Sequence, residues 1–164
     1  TGWPSCARML TDMSSAPTNM AAIAPTAVPG VTQATLTEAL ASYFAPWVQA
    51  LALSPHAMDA DSVTLLLPQS DQLSRVGGMV CGQAMMAAAD TAMVLALIRH
   101  FGTFRPCTTV QMNTSFLKPL SGQDALVQAR VLRAGKALAF GEIDIRGAND
   151  GKSVCRATTT YALL

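Results

Sequence analysis

Apolar residues recur at helical spacing near the start of the chain and change to strict alternation in its second half. The helical spacing begins at residues 35–38, where Thr-Leu-Thr-Glu fits the S/T-x-x-E capping box that starts many helices. Pro46 interrupts the spacing, which predicts a kink or two short helices. Ser54 and Pro55 are predicted to end the helical segment. Residues 61–67 are predicted to form a strand that Pro68 stops, and residues 68–78 a polar loop.

The most apolar segment covers residues 79–98 and contains a single charge, Asp90. Its length is sufficient for a membrane span. A carboxylate at the midpoint of a span, however, costs about 2.5–3.5 kcal/mol. No second span is present and alternating segments follow directly. The segment is therefore predicted to be the buried central helix of a soluble domain, not a membrane span.

Period-two alternation predicts four strands in the C-terminal half, over residues 108–117, 124–133, 137–146 and 153–163. In the first of these strands, Thr109 is predicted to share a face with Gln111, Asn113 and Ser115. In the third, Glu142 shares a face with Asp144 and Arg146. The element order predicts an α+β fold, in which these four strands form a meander within a curved antiparallel sheet that wraps one long helix. An N-terminal helical extension precedes the sheet.

Composition limits the classes of partner. Hydrophobic residues make up 51% of the chain and charged residues 13%, with a formal net charge of +1. These values exclude disorder over most of the chain. No basic patch of the kind that binds nucleic acid is present. A chain this apolar is bound to a membrane or buries extra surface against a partner subunit, and we expect the second.

The four cysteines are Cys6, Cys81, Cys107 and Cys155, and none lies in a CxxC or Cys/His cluster, so we expect no metal site. Scattered cysteines without a secretory signal indicate free thiols in a reducing compartment, the cytoplasm. Residues 1–33 are rich in Ala, Pro, Thr and Ser, and are predicted to be a flexible leader or a tag. Residues 34–164 are predicted to form a single domain.

Three segments carry a resemblance to a known family. Residues 81–93 (Cys-Gly-Gln-Ala-Met-Met-Ala-Ala-Ala-Asp-Thr-Ala-Met) resemble the signature helix of PaaI-type hotdog-fold thioesterases, usually His-Gly-Gly, six residues, then Asp. Residues 109–119 resemble that family's strand with its F-x-x-P end, and residues 135–140 resemble its Gly-Lys hairpin. The resemblance covers roughly residues 60–163 in unbroken order. It implies a hotdog fold, a homodimer that is often a homotetramer, and hydrolysis of acyl-CoA thioesters without any cofactor beyond the CoA of the substrate.

The resemblance also implies roles for three residues. Asp90 would activate water as a base or attack the carbonyl directly, the Gly82 amide would donate to the oxyanion, and Thr109 would help to hold the attacking water. From the residues alone, each has a structural alternative. Asp90 can be a hydrogen-bonded structural carboxylate, Gly82 a turn glycine at the helix start, and Thr109 an exposed strand threonine.

The substrate-binding candidates include the positions where the chain departs from the family. Cys81 replaces the family's His, Gln83 replaces its second Gly, and Arg75 stands where the family often has Asn. Gln83 can orient substrate or cap the helix, and Cys81 can be a nucleophile or a small buried residue. The cations that can meet the CoA phosphates are Arg75, Arg105, Lys118, Arg133 and Lys136. His56 and His100 are predicted to lie on the surface, which argues against a hotdog dehydratase.

Gly82 and Asp90 are eight residues apart, which is about 12 Å along one helix at 1.5 Å per residue. One carbonyl cannot meet both groups, so the family mechanism requires Gly82 from one subunit and Asp90 from another, and predicts an inactive monomer. A non-catalytic acyl-CoA-binding hotdog protein is the main alternative, and the changed residues Cys81 and Gln83 fit it. A membrane protein is a third alternative, which predicts dependence on detergent.

Overall fold

The computed structural model describes residues 30–164, so residues 1–29, most of the predicted leader, lie outside the described part of the chain. Two helices come first, α1 (Gln33–Tyr43) and α2 (Pro46–Gln49), with Pro46 in the first turn of α2. The prediction that Pro46 divides the helical segment is confirmed. The predicted capping box at residues 35–38 is wrong, because the box is formed earlier by Thr32 and Thr35, whose hydroxyl groups each accept from the other's backbone N–H.

The long apolar segment forms α3 (Gly82–Phe101), and Gly102 ends it in the left-handed conformation with φ of 76°. Gly82 is the first residue of the helix, as predicted. Met79 and Val80, at the start of the predicted apolar segment, form a short strand instead, because an apolar run does not distinguish a strand from a helix. By length and composition α3 can cross a membrane, but most of its apolar window is buried inside the protein. Its buried side chains instead form the centre of the core, as predicted.

The strands within residues 30–164 form one large sheet and one short hairpin. The strands are β1 (Ser54–Met58), β2 (Ser62–Leu67), β3 (Ser74–Arg75), β4 (Met79–Val80), β5 (Cys107–Phe116), β6 (Ala125–Ala134), β7 (Leu138–Gly147) and β8 (Ser153–Leu163). The large antiparallel sheet has the order β1-β2-β6-β7-β8-β5, and the hairpin pairs β3 with β4. The α+β architecture, an antiparallel sheet around one long helix, is confirmed.

Two features of the sheet differ from the prediction. β1 lay outside the predicted strands, because Ser54 and Pro55 were assigned to the end of the helical segment. The predicted meander holds only for β6, β7 and β8, because β5 pairs with β8 at the far edge of the sheet and not with β6. In the connection from β5 to β6, the Leu120 carbonyl accepts from the Val80 N–H. Such long-range pairing is not encoded in local alternation.

A β-bulge in β5 changes which side chains face the helix. The pairing with β8 shifts register between Thr109 and Gln111. Thr109 therefore faces inward toward α3, where its hydroxyl donates to Asp90, whereas Asn113 and Ser115 line the outer face. The prediction that Thr109 shares a face with Gln111, Asn113 and Ser115 is wrong for this reason. The predicted alternation of the third strand, now β7, is confirmed by its burial pattern.

Candidate active site

The carboxylate of Asp90 lies midway along α3 and is partly buried. Its Oδ1 atom accepts two hydrogen bonds from the sheet. The Thr109 hydroxyl donates at 2.8 Å, and the phenol of Tyr161 donates at 2.5 Å. Asp90 and Thr109, predicted separately from the sequence, are therefore in direct contact.

The two donors reach the same oxygen because they are partners across the sheet. Thr109 on β5 pairs in register with Tyr161 on β8, and both side chains point toward α3. The β5 bulge, which turns Thr109 inward, completes this arrangement. Sequence reasoning did not find Tyr161. The available signal was a tyrosine on the buried face of an alternating strand, since a buried phenol usually has a hydrogen-bond partner.

The environment of Asp90 keeps its neighbours protonated. Burial, followed by the negative charge of Asp90, raises the pKa of the Tyr161 phenol far above its ordinary value. The same two causes raise the pKa of the Cys107 thiol. A neutral phenol is a hydrogen-bond donor, and a neutral thiol is a poor nucleophile. The Asp90 carboxylate is therefore the hydrogen-bond acceptor here, and Cys107 does not supply a thiolate.

The start of α3 forms the second part of the candidate site. Cys81 is the N-cap residue, and its side chain makes no capping hydrogen bond, so within residues 30–164 the first N–H groups of the helix lack a side-chain cap. Gly82 lies against the ring of Phe116: a β-carbon added at Gly82 would lie 3.0 Å from Cζ of the ring. The positive end of the helix dipole and free N–H groups suit a developing negative charge.

A cavity of about 460 Å³ opens beside Gly82. Its walls are mostly apolar and two cations, Arg75 and Lys118, line it. The apolar and backbone part of the lining consists of Met79, Val80, Gly82, Met85, Phe116, Leu117 and Pro119. A cavity with apolar walls and two cations can hold a chain that is apolar at one end and anionic at the other.

The remaining predicted site residues lie in different places. Gln83 is exposed in the first turn of α3, and Cys81 is partly buried. Lys136 lies in the turn between β6 and β7, where its carbonyl accepts from Arg105, beyond the C-terminal end of α3. This end is about 30 Å along the helix from Gly82. Within one protomer, the structure brings Arg75 and Lys118 to Gly82 but leaves Lys136 apart.

A second cavity, of about 500 Å³, lies on the outer face of the sheet, which is the face turned away from Asp90. The charged residues that line it are Arg130, Glu142, Asp144, Arg146 and Arg156. Asp144 is already paired, since it accepts from Arg146 at 2.6 Å and from Ser153 at 2.5 Å. Among residues 30–164 no group of three or more His, Cys, Asp or Glu side chains is placed to hold a metal ion.

Comparison with known proteins finds a match to one family. The family model of the thioesterase superfamily matches residues 77–154, which include α3, β5, β6 and β7. A Thermoplasma volcanium protein named "Putative esterase TV1331" is 25% identical over 114 residues, covering 70% of this chain and 83% of its own.

Solved structures share the fold. The Haemophilus influenzae thioesterase HI1161 superposes with a TM-score of 0.75 at 19% identity, covering 84% of this chain and 94% of its own. Zebra fish thioesterase superfamily member 2 superposes with a TM-score of 0.74 at 22% identity, covering 82% of this chain and all of its own. At these identities the likeness shows the fold alone.

Proposed function

We propose that the chain, which has the hotdog fold, belongs to the thioesterase superfamily and hydrolyses acyl-CoA thioesters, including aryl-acyl-CoA, to the free acid and CoA. We also propose that the chain belongs to the PaaI-type subfamily and forms a homodimer, two of which can pair into a homotetramer. The observation that carries the proposed hydrolysis is the Asp90 carboxylate. A carboxylate held by two donors at the middle of a mostly apolar helix is arranged for chemistry more than for packing.

Asp90 can act in either of two ways. As a base, the carboxylate takes a proton from water, and the water oxygen attacks the thioester carbonyl. The carbon–sulfur bond then breaks, and the proton passes to the CoA sulfur. As a nucleophile, the carboxylate itself attacks the carbonyl and expels the CoA thiolate, which is protonated by solvent. Water then cleaves the resulting anhydride and restores Asp90.

The oxyanion donor comes from a second copy of the chain. Gly82 and Asp90 are about 12 Å apart along α3, too far for one carbonyl to meet both. β5 is an edge strand of the sheet, and it exposes the apolar side chains of Val110 and Phe116. Asp90 lies at the start of β5 and Gly82 near its end. Antiparallel pairing of two β5 edges therefore brings Gly82 of one copy toward Asp90 of the other.

The cavity beside Gly82 supports a thioester substrate. Its apolar walls, which include Met85 and Phe116, suit an acyl or aryl group, and methionine adapts to different shapes. Arg75 and Lys118 suit the phosphates of CoA. In a dimer, the cavity and the Asp90 carboxylate belong to the same composite site. Lys136 retains its proposed role in phosphate binding only if the second copy brings it to that site.

A non-catalytic acyl-CoA-binding protein is the alternative, and the departures at Cys81 and Gln83 favour it. Steady-state hydrolysis of a panel of CoA thioesters, from acetyl to long-chain, benzoyl and aryl-acetyl, separates the two functions. We expect turnover by the wild type that collapses in Asp90→Asn. The matched control is Asp71→Asn, an exposed carboxylate in the short 3-10 helix (Asp71–Leu73) before β3, which should keep full activity. Binding without turnover, unchanged in Asp90→Asn, would support the binding protein instead.

A further inference from the structure

Both hydrogen bonds to the Asp90 carboxylate end on the same oxygen. Thr109 and Tyr161 each donate to Oδ1, at 2.8 Å and 2.5 Å. Within residues 30–164, no donor is placed on Oδ2. One oxygen of the carboxylate therefore accepts two hydrogen bonds, and the other accepts none from the described residues. Because two donors on neighbouring strands fix Oδ1, rotation of the carboxyl group would break both hydrogen bonds.

Tyr161 is the more rigid of the two donors. Its side chain is 1% exposed, and its phenol oxygen also lies 3.1 Å from the backbone carbonyl oxygen of Asp90. The phenol has one proton, and the charged carboxylate is the stronger acceptor. Burial and the charge of Asp90 raise the pKa of Tyr161, so the proton stays on the phenol across the pH range of an enzyme assay. Thr109, by contrast, is an exposed residue on an edge strand.

We propose that Tyr161 is a positioning residue, which holds Oδ1 of Asp90 so that Oδ2 is the oxygen that meets water or the thioester carbonyl. The inference rests on the proposed thioester hydrolysis and assigns a role that neither the motif nor the family match supplies. Tyr161 touches Asp90 and acts only through it. The hydroxyl, not the ring, carries the role, because the ring belongs to the hydrophobic core.

The test compares Tyr161→Phe with Tyr43→Phe. The chain has two tyrosines, and Tyr43 is 54% exposed and stacks on Phe104, so its variant is a matched control. A hydrogen bond to a charged group corresponds to about a tenfold to hundredfold change in rate. We expect Tyr161→Phe to lower kcat by that factor with KM nearly unchanged. Wild-type kcat in Tyr161→Phe, in a protein that folds normally, would overturn the proposal.

A measurement without turnover separates this proposal from the proposed function. In protein labelled with carbon-13 aspartate, Asp90→Asn identifies the Asp90 carboxyl signal. The chemical shift of this signal should change in Tyr161→Phe and in Thr109→Val, because each variant removes a hydrogen bond to Oδ1, and it should stay the same in Tyr43→Phe. If no CoA thioester is hydrolysed but the signal changes, the hydrolysis proposal fails and the hydrogen bond from Tyr161 to Asp90 is supported. If turnover is found and the chemical shift is identical in all variants, the positioning role fails.

Discussion

The ring of Phe116 lies directly over Gly82, with Cζ only 3.0 Å from the place where a β-carbon would be. Phe116 is the last residue of β5, and Gly82 is the first residue of α3, so this contact joins the end of the edge strand to the start of the central helix. Both residues line the same cavity. The absence of a side chain at residue 82 therefore allows an aromatic wall to lie beside the helix N–H groups.

Gly82→Ala should lower kcat/KM by about tenfold or more, because small displacements at a reacting centre have large effects. The new methyl group would push on the Phe116 ring and fill the approach to the helix N–H groups. Stability should change by less than about 1 kcal/mol, because Phe116 is half exposed and its ring can move. Thioester kinetics and urea unfolding check the two parts. Wild-type kcat/KM would show that substrate does not approach at Gly82.

Thr109→Val should reduce activity by about tenfold, because it removes one donor from Oδ1 of Asp90 while keeping the shape of the side chain. Thr159→Val is the matched control on the same sheet. The Thr159 hydroxyl is buried and, among the described residues, has no hydrogen-bond partner. Its removal should leave kcat unchanged and raise stability by up to about 1 kcal/mol. Equal losses of activity in both variants would contradict a specific role for Thr109.

The free energy of unfolding should fall in alkaline solution because of the Tyr161 phenol. Its pKa is raised above the ordinary value of 10.0, mainly by burial. Its contribution to the free energy of unfolding is therefore fully present below pH 10 and is lost as the pH rises further. Burial, then the charge of Asp144, raises the pKa of Cys155 to about 11, so this thiol adds a loss of the same sign. Urea unfolding across this range should show a smaller alkaline loss for Tyr161→Phe. An equal loss would contradict the raised pKa.

The core should not tolerate a side chain at Gly141. On β7, a β-carbon at this position would lie 2.3 Å from Sδ of Met93 and 3.0 Å from the carbonyl oxygen of Arg130. Met93 is fully buried on α3, so it has little room to move. Gly141→Ala should lower the free energy of unfolding by about 1–3 kcal/mol. Gly135→Ala is the control, because its β-carbon would make an ordinary contact of 3.5 Å. Equal stability of both variants would contradict this packing.

The sequence predicted the elements better than their arrangement. The division at Pro46 and the alternation of β7 were predictable because each follows from local chemistry. Met79 and Val80 fell within the predicted helical segment because apolar residues suit both a short strand and a helix. The place of β5 beside β8 was not predictable from alternation, because it depends on pairing between residues far apart in the chain.

The candidate site was predictable only in part. Asp90 and Gly82 stood out because a lone carboxylate and a glycine mark the central helix and its start. The contact between Asp90 and Thr109 depends on the bulge in β5, which no spacing along the chain indicates. Tyr161 is 71 residues from Asp90 in sequence, so only the folded sheet brings the two together.

Mixing two impaired variants tests the central claim, a site composed of Asp90 from one copy and Gly82 from another. Asp90→Asn and Gly82→Val homodimers should each have little activity. After unfolding and refolding together in equal amounts, half of the dimers are mixed, and each mixed dimer has one site with both residues intact. We expect the mixture to recover about a quarter of wild-type kcat. A mixture no more active than its two components would contradict a shared site.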